Sequence, residues 1–149
     1  MKSEICLLQQ TVRFDREATI ALYRDTITVP GADACTCISC KNFATQRSKL
    51  YPGDFLMLLN EPGGDPRKEW EAFDYDFERE NLPNHLYGGW FLFCGELIQG
   101  SDKRPDHGQT LFAYWFATTF PTATLPKERK VCSVEFCALV PWVLSELPG

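Results

Sequence analysis

The stretch Tyr87–Ile98 constrains the fold most, because its side chains are apolar at both parities from Tyr87 and Trp90 through Phe91, Leu92, Phe93 and Cys94 to Leu97 and Ile98. A strand with one wet face alternates polar with apolar residues, so a run that is apolar on both faces belongs at the centre of a sheet. Leu111–Phe120 repeats the pattern, and Cys132–Ala138 alternates, with Cys132, Val134, Phe136 and Ala138 on one face and Ser133, Glu135 and Cys137 on the other, which predicts one wet side. The intervening loops, Gly100–Gly108 and Pro121–Lys130, are too short to hold a crossover helix, so these three strands are expected as a meander.

Upstream, Val12 and Phe14, Ile20 and Leu22, and Ile27 and Val29 recur at strand-like spacing, with Asp15-Arg16-Glu17 as a turn. Pro30-Gly31 ends that β segment. Ser39 is placed to cap a helix that carries Cys40, Phe43, Ala44, Arg47 and Leu50 on one face. Pro52 opens a second helix with Phe55, Leu56, Leu58 and Leu59 inward, and Asp65-Pro66 starts a third through Trp70. The fold class is therefore α+β: a mostly antiparallel sheet of five or six strands, with two or three short helices inserted over about residues 39–72. With 149 residues, 44% of them hydrophobic, the chain is expected to form a single domain, 1–149.

A net charge of −5 excludes a general nucleic-acid binder and favours small molecules or a basic protein partner. The run Ile5-Cys6-Leu7-Leu8 is too short for a secretory core, and no stretch approaches the ~18 apolar residues of a membrane span, so a reducing cytoplasm is expected. There the seven cysteines are thiols or metal ligands.

Three of them, Cys35, Cys37 and Cys40, fall in six residues at a loop-to-helix junction. As a metal set they offer three thiolates for an ion such as zinc, and a closed site needs a fourth ligand from Cys94, His85 or His107. As a redox pair, Cys37 and Cys40 have dithiol spacing and the benefit of a helix start. As packing residues they are small hydrophobes. All three readings remain open at this level.

Between Glu69 and Glu80, acids alternate with Trp70, Phe73, Tyr75 and Phe77, which predicts aromatic residues inward and acids outward. Asp74, Asp76 and Glu78 would then face a basic partner, or simply water. Glu96 is the carboxylate set in apolar company, hence a general acid-base candidate. His85 and His107 read as loop residues. Gly63-Gly64 and Gly88-Gly89 lack the strand-to-helix setting of a phosphate-binding loop, so no cofactor-binding residues are assigned.

The string Cys35-Thr36-Cys37-Ile38-Ser39-Cys40-Lys41-Asn42-Phe43, with Tyr51-Pro52, Tyr87-Gly88-Gly89-Trp90-Phe91 and Val140-Pro141-Trp142, resembles a group of small bacterial proteins without an assigned function. In that group a histidine commonly follows Gly-Gly-Trp-Phe, where this chain has Leu92. The resemblance implies a bacterial cytoplasmic protein and supplies no activity.

Overall fold

A computed structural model describes residues 2–7, 9–26, 29–79, 81–103, 111–118 and 130–146, with Lys2 described by its backbone alone. It consists of strands β1 (Lys2–Leu7) and β2 (Gln10–Asp15), helices α1 (Arg16–Thr26), α2 (Gly31–Ala34), α3 (Ile38–Leu50) and α4 (Gly53–Asn60), then strands β3 (Glu71–Asp74), β4 (Asn84–Gln99), β5 (Phe112–Ala117) and β6 (Val131–Pro141). All pairings are antiparallel in a six-stranded sheet ordered β1-β2-β4-β6-β5, with β3 also paired to β4. The α+β class holds. Among the described residues no helix is long and apolar enough to cross a membrane.

The two-faced run forms the centre. β4 pairs with β6 over Asn84–Cys94 and with β3 and β2 along its other edge, so its backbone is shared among three partners. Phe91 and Phe93 face a core built with Phe43 of α3, Phe55 and Leu59 of α4, and Val134 and Phe136 of β6. On the opposite face Leu92 and Cys94 pack with Leu22 and Ala18 of α1. Around Phe55, the rings of Tyr51, Phe91, Phe112, Tyr114 and Phe136 lie at centroid distances of 5.0 to 6.2 Å. Edge-to-face pairs of this kind add about 0.5–1.5 kcal/mol each beyond their buried area.

Four expectations are corrected. Residues 16–26 are helix, not strand: the Asp15 carboxylate accepts the Ala18 amide at 3.1 Å and caps the first turn, and Thr19, Leu22 and Tyr23 then lie on one buried face at helical spacing. The first hairpin is β1–β2, in which β1 precedes the expected pattern and β2 carries its Val12 and Phe14. The late strands are not a meander. β6 lies between β4 and β5, which makes β4 and β5 parallel, and the 12 residues from Gly100 to Leu111 span ~40 Å when extended, a crossover that needs no helix. The second face of β6 is dry, with Ser133 and Cys137 buried. Residues 65–68 form a turn, not a third helix, in which Asp65 accepts the Arg67 amide.

Candidate metal centre

Cys35 and Cys37 lie in the loop between α2 and α3, and Cys40 lies in the first turn of α3. One ligand atom from each comes together, with all three sulfurs within 4.8 Å of one another. Cys35 Sγ stands 3.2 Å from Cys37 Sγ and accepts the Cys37 amide at 3.4 Å. Cys37, not Ser39, is the N-cap of α3: its sulfur accepts the Cys40 amide at 3.4 Å. Cys35 and Cys37 are exposed, while Cys40 is buried beside the Ala72 carbonyl.

Two buried polar systems hold this loop, one on each side. Before it, Gly31 donates its amide to the Glu69 carbonyl at 2.8 Å, and Ala32 donates to the Glu69 carboxylate. A Cβ at Gly31 would stand 2.5 Å from the Trp70 carbonyl oxygen, so only glycine lets α2 approach this closely. Glu69 is fully buried, and Arg47 of α3 forks onto both its oxygens while reaching Asp33 of α2 at 3.1 Å. Burial pushes the Glu69 carboxyl above its ordinary value against the pull of Arg47. After the loop, the Ser39 hydroxyl donates to Asp74 Oδ2 at 2.8 Å, and His85 Nδ1 meets the same oxygen at 2.7 Å. Asp74 Oδ1 accepts the Asp76 amide, and the Tyr87 hydroxyl donates to the Ser39 carbonyl at 2.7 Å. The chain is thus tied down at Ala32–Asp33 and again at Ser39, with Cys35 and Cys37 between those ties and Cys40 one residue beyond the second.

The thiols differ in their surroundings. The Cys37 backbone amide, followed by the neighbouring thiols, holds Cys35 below the ordinary thiol value. Burial drives Cys40 well above it, and contacts with Cys35 and Cys37 add to the rise. An ion among the three reverses the second effect, because a cation favours the deprotonated ligand. Zinc-sulfur bonds of about 2.3 Å in a tetrahedron place sulfurs about 3.8 Å apart. The observed spacing brackets that value, so the three cysteines can hold a metal ion with movements on the order of 1 Å.

Two of the fourth ligands read from the sequence, Cys94 and His85, do not join the group. Cys94 packs under α1 with Leu22 and Leu92. His85 is not a loop residue but a fully buried member of β4, its ring tilted at 38° against Trp142 with centroids 4.9 Å apart. Because a carboxylate only accepts, His85 donates to Asp74 from Nδ1, and among the described residues the buried Nε2 has no partner. His107 lies outside the described residues.

The acidic stretch is also corrected. In β3 the buried residues are Ala72 and Asp74, whereas Tyr75 and Phe77 are exposed, so the expected parity is reversed. Asp74 is withdrawn from any partner surface, Asp76 is engaged by the Leu86 amide, Glu78 is exposed, and Glu80 lies outside the described residues. Glu96 is not in apolar company: it pairs with Arg13 at 3.7 Å and Lys130 at 3.5 Å at the mouth of a cavity of about 300 Å³. The Ser39–Asp74–His85 and Arg47–Glu69 systems were invisible to sequence reasoning. The nearest signal was a histidine and two carboxylates within otherwise apolar or aromatic runs.

Compared with protein-family models, with curated proteins and with solved structures, the chain matches none.

Proposed function

We propose that this is a small binding protein built around a thiolate metal centre, with Cys35, Cys37 and Cys40 holding one thiophilic ion, zinc in the first instance. The observation that carries the reading is the convergence of three sulfurs on a loop anchored at both ends. Soft thiolates select zinc, monovalent copper or iron-sulfur iron over hard oxygen-seeking cations. The anchoring supports the reading because ligands held by buried partners lose little freedom when they bind. The setting we infer is a bacterial cytoplasm, where free thiols persist.

Elemental analysis of protein purified without a histidine tag tests this. The reading expects about one metal per chain, lost on chelation and absent from Cys37→Ser. Metal-free protein that takes up neither zinc nor monovalent copper contradicts it.

A second reading, a thiol-dependent redox enzyme, is favoured by the 3.2 Å approach of Cys35 and Cys37. Their oxidation would transfer two electrons and two protons to a disulfide acceptor such as glutathione disulfide. A reversible Cys35–Cys37 bridge in metal-free protein, with a potential in the oxidoreductase range, would support it; thiols inert to glutathione disulfide would remove it.

A further inference from the structure

A cavity of about 530 Å³ lies between α1 and the turn that follows α4. Its wall carries Arg16, Tyr23 and Arg24 from α1, and Asp65, Arg67 and Lys68 from the turn. Four basic groups therefore face one carboxylate, in a chain whose net charge is −5. That carboxylate is already occupied, because Arg67 bonds both of its oxygens at 3.0 Å. Arg24 pairs outward with Asp25 at 2.9 Å, while among the described residues neither Arg16 nor Lys68 forms an ion pair.

The second observation is the Tyr23 hydroxyl. Tyr23 is 3% exposed, and its buried hydroxyl has no hydrogen-bond partner among the described residues. A buried, unmade hydrogen bond costs about 1–3 kcal/mol, which a ligand acceptor would recover. Burial, with Asp65 nearby, keeps this phenol protonated and so a donor. The turn opposite is fixed in shape: Gly63 has φ +96°, and a Cβ there would stand 2.9 Å from the Arg16 carbonyl oxygen.

We infer that this cavity binds a small phosphate-bearing anion, with Arg16 and Lys68 supplying the free positive charge and Tyr23 a neutral donor. Arginine and lysine around a concave wall suit a multiply charged oxyanion, and the volume is that of an ordinary small-molecule pocket. The site uses α1 and the 63–68 turn and does not depend on the cysteine centre.

Calorimetric titration of the full chain with inorganic pyrophosphate tests it, with citrate as the carboxylate comparison, both at constant ionic strength. The expected result is saturable 1:1 pyrophosphate binding, with citrate at least tenfold weaker. Arg16→Gln/Lys68→Gln should weaken pyrophosphate tenfold or more, and Tyr23→Phe, which removes only the unpartnered hydroxyl, about fivefold. Lys41→Gln/Lys49→Gln, the same charge change on α3, should leave the affinity unchanged. No saturable binding, citrate equal to pyrophosphate, or equal losses in the two double variants would overturn the inference.

Discussion

Cys35, Cys37 and Cys40 bring their sulfurs together at the start of α3, whereas Cys94 and Cys132, on paired strands, point to opposite faces of the sheet and join separate clusters. Side-chain chemistry is identical in the two groups, so backbone setting makes the difference. In the sheet, each thiol fills a slot: Cys132 is fully buried, donates to the Ala117 carbonyl at 3.2 Å, and is pushed up to about 12 by burial. In the loop, the backbone is held by other residues, so the exposed Cys35 and Cys37 are spared a packing role, and only Cys40 also joins the core. A cysteine becomes available for chemistry when something else does its structural work.

The contrast breaks first at the frame. Glu69→Ala strips the partly buried Arg47 of its main partner, and losing one member of a buried pair costs up to about 3–5 kcal/mol. Urea unfolding should show that loss, and zinc affinity should fall with it. Destabilisation with full zinc affinity would mean that the frame does not organise the cysteines.

Asp74→Asn acts on the other side, by weakening the hold on Ser39 and His85. Replacement of such supporting residues usually lowers metal affinity about 10–100-fold. Competition with a chromophoric zinc chelator measures it, and an unchanged constant would show that Ser39 does not position the loop.

Cys132→Ala should cost about 1–3 kcal/mol in unfolding free energy while leaving metal uptake intact. The smallest effect belongs to Cys35→Ser, an exposed position, where metal-free stability should change by no more than about 0.5 kcal/mol and metal binding should collapse. In metal-free protein the two ends of the cluster should also separate by reactivity. Cys35, whose thiolate is favoured, should alkylate at a lower pH than the buried Cys40, whose thiolate is disfavoured; mass spectrometry across a pH series would show the order.

Much of this was legible in the residues. A run apolar on both faces has few places to go, and β4 is central as its pattern required. Cys40 and Phe43 marked the buried face of α3, and the spacing of three cysteines in six residues kept a metal site in view. What failed depended on contacts distant in the chain. The inward turn of Asp74 is set by His85, eleven positions away, and that of Glu69 by Arg47, twenty-two away. Because strand side chains alternate, one such contact reverses the parity of a whole segment. In α1, Ile20 and Leu22, two apart, imitated a strand, while the decisive signals were the Asp15 cap and the 19–22–23 spacing. Strand order was hidden because the 12 residues between β4 and β5 are long enough to reach past a neighbouring strand without a helix.

The most direct test of the central claim is the cobalt(II) absorption spectrum of the reduced protein, in which sulfur-to-metal charge-transfer bands report how many thiolates are bound. A thiolate metal centre at Cys35, Cys37 and Cys40 predicts one cobalt per chain with the intensity of three sulfurs, displaced by zinc. The band should be lost with any single serine replacement in the cluster and persist in Cys94→Ala and Cys132→Ala. No band in the reduced wild-type protein, or a band that survives replacement of all three cluster cysteines, would contradict it.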